Sequence, residues 1–187
     1  MAALSWILLS SRLPREPSRL RLAVWRRLKR LGAVLLHDAL WVLPVDPRTR
    51  EAFEWLAQEI EEQGGTVWVW EAASLSPEQD QPVVEQFRRE ADARYHEIGA
   101  TAQAIRDATL RGRRRSRGSH PPASAMATQA LRQLRGLERA LRLEYQRDHF
   151  RSQGRAAASA QVSAAIAELD AQRRSAGPNG MAHAVGH

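Results

Sequence analysis

Two groups of arginines are the residues of this chain best equipped for chemistry. Arg12, Arg19, Arg26, Arg27 and Arg30 crowd the N-terminal region, and Arg113, Arg114, Arg115 and Arg117 follow one another in the segment RGRRRSRGSHPPASA. A guanidinium is always charged and offers a planar fork of donors that suits tetrahedral oxyanions and phosphates. The first set is therefore a candidate oxyanion site. The second, on an Arg-, Ser-, Gly- and Pro-rich stretch, suits tracking phosphates without reading bases, which makes it a candidate nucleic-acid contact. Each has a plainer competitor: an ion-pair network with glutamates for the first set, and a solvated linker without a partner for the second.

No catalytic constellation accompanies these cations. His37, His96, His120 and His149 are scattered, and His183 and His187 share an i, i+4 spacing interrupted by a glycine, with no acid nearby. No metal site is expected from such a pattern. The chain has neither a Gly-rich phosphate loop nor a nucleophile elbow. Glu138, Glu144 and Asp148 stand beside arginines and read as intrahelical pairs. The absence of cysteine excludes disulfides, thiolate metal sites and cysteine nucleophiles, and fits a cytoplasmic protein. A non-enzymatic protein without a resident cofactor is expected.

The formal net charge is +7, and its distribution is uneven. Residues 1–75 carry 10 Lys/Arg against 9 acids, residues 76–110 carry 4 against 7, and residues 111–187 carry 14 against 5. Such asymmetry points to a polyanion contact through the C-terminal part. The opening MAALSWILLSS lacks a basic leader region, and its apolar run is too short to span a bilayer, so it reads as a strand and no membrane association is expected.

Hydrophobic periodicity supplies the elements that must position these residues. WILLSS is a strand. PSRLRLAVWRRLKRLG is a basic helix with Leu20, Val24, Leu28 and Leu31 on its apolar stripe and Gly32 as its stop. Arg27 falls at the edge of that stripe, either snorkelling or held by a carboxylate such as Asp38 or Glu71. AVLLHDALWVLP forms two short strands turning at His37-Asp38-Ala39, and Asp46-Pro47 opens an acidic helix that buries Phe53, Leu56, Ala57 and Ile60. In TVWVWEA, Val67 and Val69 face one way and Trp68 and Trp70 the other. The order β-α-β-β-α-β predicts an α+β ferredoxin-like sandwich over residues 5–75. Only one face of its sheet is covered by its own helices, so a second copy or the chain's later helices must cover the other. Base stacking on the tryptophans is the remaining alternative.

Beyond that block, two or three accessory helices are expected. A long amphipathic helix spans 76–110, with Val84, Ala91, Ile98 and Ile105 in one stripe flanked by Phe87, Tyr95 and Ala102. A linker follows at 111–125 and a helical hairpin at 126–174. In its first helix Leu131, Leu134, Leu137 and Leu141 oppose Arg132, Arg135, Arg139 and Arg142. The tail from Ser175 to His187 is expected to be disordered.

The segments WILLSSRLPREPSRLRLAVWRRLKRLGAVLLHDALWVLP, FEWLAQEIEEQGG and VWVWEAASL, with EQFRREADARYHEI and LRQLRGLERALRLEYQRDHF behind them, resemble the N-terminal domain of ChrB, the bacterial chromate-resistance regulator. The resemblance implies chromate-responsive control of a chromate-efflux operon, with DNA as partner, the chromate oxyanion as effector and a homodimer as the working unit. It also implies an alternative, a dimeric accessory protein of chromate resistance that does not bind DNA. A more distant resemblance is to the middle domain of PaaX-type repressors and to the ferredoxin-like nuclease of CRISPR adaptation. Those proteins carry an aspartate at the end of strand 1, whereas this chain has Leu9-Ser10-Ser11-Arg12. Neither a preceding winged helix nor the second domain of full-length ChrB proteins is expected in this chain.

Overall fold

Alternation along one strand sets the architecture. The computed structural model describes residues 4–14, 18–115 and 123–175. In β1 (Ser5–Arg12), Ile7 and Leu9 point to one face of a sheet and Trp6 and Leu8 to the other. Strand β1 pairs antiparallel with both β3 (Leu40–Pro44) and β4 (Thr66–Ala73), and β2 (Val34–His37) adds to β3. The resulting order is β2-β3-β1-β4. With α1 (Ser18–Leu31) between β1 and β2 and α2 (Pro47–Glu62) between β3 and β4, this is the expected α+β ferredoxin-like sandwich.

The first face carries the main core. Leu20, Val24 and Leu28 of α1 and Phe53, Leu56 and Ile60 of α2 are buried in one cluster with Ile7, Leu9, Trp41 and Leu43. Local chemistry ends α1 and opens α2 where the sequence indicates. Gly32 adopts φ +77°, and the Ala33 amide donates to the Leu28 carbonyl at 3.0 Å, closing α1 in a Schellman-type turn. A Cβ on Gly32 would lie 2.7 Å from the Arg147 carbonyl oxygen, so the glycine also permits a close backbone approach. Asp46 caps α2 by accepting from the Thr49 amide at 2.8 Å, and the Thr49 hydroxyl accepts from the Asp46 amide, with Pro47 at the first helical position. Asp38, at φ +47°, makes the turn between β2 and β3.

The second face is covered in part by the chain itself. Val84 and Phe87, near the start of α3 (Pro77–Arg115), join the same cluster, and Phe150 packs against it. The Trp6 ring stacks on Phe87 with centroids 6.0 Å apart, and Phe87 lies 5.3 Å from Phe150. Asp80, 3% exposed, fastens this arrangement. Its carboxylate accepts from the Leu4 amide at 2.8 Å, from Trp6 Nε1 at 2.7 Å and from the Ser74 hydroxyl. The compact unit therefore reaches Glu90 and takes in Arg147–Arg151, rather than closing at residue 75. The reason is the apolar second face, which residues 5–75 alone leave open. Trp68 and Trp70 on that face remain about half exposed.

The second unit is helical: α3 from Ala91 onward, α4 (Ala123–Arg147) up to Gln146, and α5 (Gly154–Ser175). Its core holds Tyr95, Ala102, Leu131, Leu134, Leu141, Val162 and Leu169. Tyr95 and Ala102 are buried, while Ile98 and Ile105 are only partly so, which shifts the expected stripe toward its flank. Helix α3 continues through Arg115 instead of ending near 110. Arginine is a good helix former, and Gly112, which leaves room for the Met126 methyl, is a packing glycine rather than a stop. Glu144 corrects the intrahelical reading: it is buried, and Arg94 from α3 donates to it at 2.6 Å. The segment 116–122 and the tail 176–187 lie outside the described residues.

Two titrations should mark the first unit's stability. The Leu4 amide, with help from Ser74 and Trp6 and against burial, holds the Asp80 carboxyl below its ordinary 3.8. A depressed acid stabilises the fold above its unfolded pKa and loses that contribution as pH falls through the folded value. His149 is pushed below 6.5 by burial, with its Nε2 3.2 Å from the Leu31 carbonyl oxygen. Its neutral form is favoured in the fold, so stability also drops as pH falls from 6.5 toward the lowered value. Melting temperature against pH should show both losses. His149→Gln, which keeps a donor but cannot titrate, should remove the upper one, and Asp80→Asn the one below pH 3.8. Phe87→Ala should cost about 3–5 kcal/mol in urea unfolding.

Candidate functional site

The apolar stripe of α1 decides where its arginines go. With 3.6 residues per turn, burying Leu20, Val24 and Leu28 turns Arg19, Arg26 and Arg30 outward, and all three are exposed. Arg27 sits at the stripe's edge on the side of α2, with Nη1 3.7 Å from Glu59 Oε2 and both side chains about half exposed. It is thus an exposed ion pair, and neither of the carboxylates expected for it is its partner. Glu71 is bound by Arg50 Nε, which holds its carboxyl below the usual range. Asp38 lies 3.7 Å from His37 in the exposed turn.

The five arginines of the oxyanion set do not converge on one point. Arg12 ends β1, opposite Thr66, on the sheet face that carries Trp68 and Trp70 rather than the face under α1. Along α1, at 1.5 Å per residue, Arg19 and Arg30 stand roughly 16 Å apart, too far to share one small dianion. Arg26, Arg27 and Arg30 lie within one turn of each other and form the compact part of the set. Among the described residues, Arg27 is the one of the five that makes an ion pair.

Arg113, Arg114 and Arg115 form the last turn of α3. Their side chains, and Arg117 altogether, lie outside the described residues. Helix α4 holds a basic surface that periodicity located without marking it as a site. Leu131, Leu134 and Leu141 face the core of the second unit, and Arg132, Arg135, Arg139 and Arg142 are exposed on the opposite side. Lys29, the single lysine, is engaged internally: its Nζ is 2.7 Å from Glu90 and 5.5 Å from the centre of the Trp41 ring. No periodic signal could have revealed that pair, because its members are 61 residues apart.

Among the described residues, no group of three or more histidines and acids is placed to hold a metal ion, and no helix is long and apolar enough to cross a membrane. The chain matches the family "Protein ChrB, N-terminal" over residues 21–174. It belongs to that family, as the resemblance in its sequence implied. Protein ChrB of Cupriavidus metallidurans (strain ATCC 43123 / DSM 2839 / NBRC 102507 / CH34) is 33% identical over 76 residues, which are 41% of this chain. The match spans 24% of that relative's length. No solved structure matches the chain.

The geometry separates surface arginines from structural ones. Arg27→Ala should change unfolding free energy by less than about 1 kcal/mol, as for other exposed pairs. Arg94→Ala takes a charged donor from the buried Glu144 carboxylate and should cost more than the exposed pair, up to the lower end of the roughly 3–5 kcal/mol typical of broken buried pairs, because Arg94 is itself partly exposed. Urea titrations of both variants test this ranking.

Proposed function

We propose that this chain serves chromate resistance as a chromate-responsive transcriptional regulator or its accessory subunit, contacting DNA through arginine-rich surfaces. Membership of the ChrB N-terminal family supports the setting. The observation that carries the DNA reading is the row Arg132, Arg135, Arg139 and Arg142, exposed along one side of α4 with the leucines opposite. At 1.5 Å rise, the row extends about 15 Å, enough to meet several phosphates of one duplex. Arg113, Arg114, Arg115 and Arg117 add charge at the end of α3 and beyond it. This role needs binding and no covalent chemistry, and it places the protein in the cytoplasm beside the genome.

The effector in this reading is chromate, a tetrahedral dianion whose oxygens suit the guanidinium forks of Arg26, Arg27 and Arg30. Arg12 and Arg19 lie apart from that cluster and contribute long-range attraction at most.

Gel-shift with DNA from the promoter of a chromate transporter tests the first part. Arg135→Ala with Arg139→Ala should weaken binding across all sequences and lower the slope of log affinity against log salt by about 0.9 per lost phosphate contact. Undiminished affinity would remove α4 from the interface, and no shift with the wild type would favour the accessory-protein reading. Calorimetric titration of chromate against wild type and against Arg26→Ala with Arg30→Ala tests the second part. Heat that persists unchanged in the variant would place the effector elsewhere.

A further inference from the structure

The start of α3 does more than cover the sheet. Pro77, Asp80, Gln81, Val84 and Arg88 recur at spacings of three and four, so they lie along one side of the helix. That side walls a cavity of about 300 Å³ inside the first unit, with Leu4 and Phe150 across from it. The volume is that of a small-molecule site at the lower end of the usual range, equal to about ten water volumes. Leu4, Pro77, Val84 and Phe150 make its walls apolar. The Phe150 ring is held by Phe87 and Trp6, with centroids 5.3 and 6.0 Å away, yet it is only partly buried. The polar groups are unequal. Asp80 is buried and already accepts from three donors, which makes it a wall rather than an anchor. Gln81 and Arg88 are exposed at the rim. Arg88 also interacts within the chain, and a guanidinium has five N–H donors, enough to serve that contact and a ligand. At 1.5 Å rise per residue, Arg88 stands about 6 Å beyond Val84 and about 12 Å from Asp80. The cavity is therefore apolar in the middle, anionic at one end and cationic at the other.

We infer that this cavity binds a small organic acid, its apolar body against Val84, Leu4 and Phe150 and its carboxylate on Arg88. The charge layout selects both the acid and its direction. A carboxylate turned toward Asp80 meets a like charge. Turned the other way, it meets guanidinium donors whose fork fits two carboxylate oxygens. An organic cation would have to draw on Asp80, whose oxygens are engaged with Leu4, Trp6 and Ser74. A bare inorganic oxyanion gains nothing from the apolar walls and loses its water. A ring is favoured over an open chain of equal size, because it can meet the Phe150 ring edge to face or offset. Occupancy ties Leu4, α3 and Phe150 together beside the Asp80 contacts, so the ligand stabilises the first unit by mass action. This inference does not rest on the regulator reading, and none of Arg26, Arg27 and Arg30 takes part in it.

Benzoate is the probe, with benzamide as its uncharged counterpart. Titrated into the full chain and followed in proton–nitrogen correlation spectra, benzoate should shift the amides of Leu4, Gln81, Val84 and Phe150 saturably. The Trp6 indole N–H, which donates to Asp80, should move with them. Benzoate should also raise the melting temperature. Benzamide should bind the wild type about tenfold more weakly, the factor that one hydrogen bond to a charged group supplies. Arg88→Gln should weaken benzoate by about the same factor, while its spectrum away from residue 88 stays that of the folded wild type. Arg89→Gln, at an exposed position outside the cavity, should leave benzoate affinity unchanged, which separates a local contact from the chain's general positive charge. Chromate should neither shift these amides nor displace benzoate. Absence of a saturable benzoate shift, shifts confined to other surfaces, or equal losses from Arg88→Gln and Arg89→Gln would overturn the inference. So would benzamide binding as tightly as benzoate, or displacement of benzoate by chromate, since the cavity would then not select an organic acid.

Discussion

The buried carboxylate of Asp80 is the contact on which the first unit's closure depends. Residues 5–75 make a sheet with two apolar faces and only two helices to cover them. Asp80 anchors the first turn of α3 to the paired ends of β1 and β4, through the amide of Leu4 just before β1 and the hydroxyl of Ser74 just after β4. A charged acceptor with three donors is a strong and directional tie, and its third donor is the indole of Trp6. The tie holds Trp6 flat against Phe87, and Phe150 fills the space beside both rings. A helix that begins as a cover for the sheet then continues as part of the second unit's core.

Completing the core internally leaves the surface free to carry charge. Among the described residues, the acids and bases engaged between elements include Asp80, the Lys29–Glu90 pair, Arg94–Glu144, Arg50–Glu71, Arg27–Glu59 and Arg106–Glu168. Arg19, Arg26 and Arg30 of α1 and Arg132, Arg135, Arg139 and Arg142 of α4 are not among them. They are turned outward because the opposite sides of their helices are leucine-lined and buried, so their display follows from packing elsewhere on the same rods. A cationic row at a helix surface is cheap to keep in water, and it becomes useful when an anion is brought to it.

Legibility varied with the range of the interaction. Caps, stops and turns were readable because they depend on neighbours: Asp46-Pro47 at the start of α2, Gly32 at the end of α1, and the turn at Asp38. The four strands and their order followed from alternation and from the β-α-β-β-α-β sequence of elements. The outward direction of Arg19, Arg26 and Arg30 followed from the apolar stripe. Periodicity also made a mistake of degree in α3, where it ranked Ile98 and Ile105 above Tyr95 and Ala102. A stripe names a side of a helix but not which residue meets the partner's centre.

What the sequence determined by itself is the class of fold, the family, and the sidedness of α1, α2 and α4, because each is written in spacing that local geometry enforces. What only the tertiary structure decided is which charges are spent. Glu144 looks like any helical glutamate until Arg94 is brought to it, and Arg27 takes Glu59 in place of Asp38 or Glu71. The five-arginine cluster likewise resolves into a line along α1 plus a separate residue at the end of β1. Ion pairing depends on distances between elements far apart in the chain, and those distances exist only once the sheet has placed its helices.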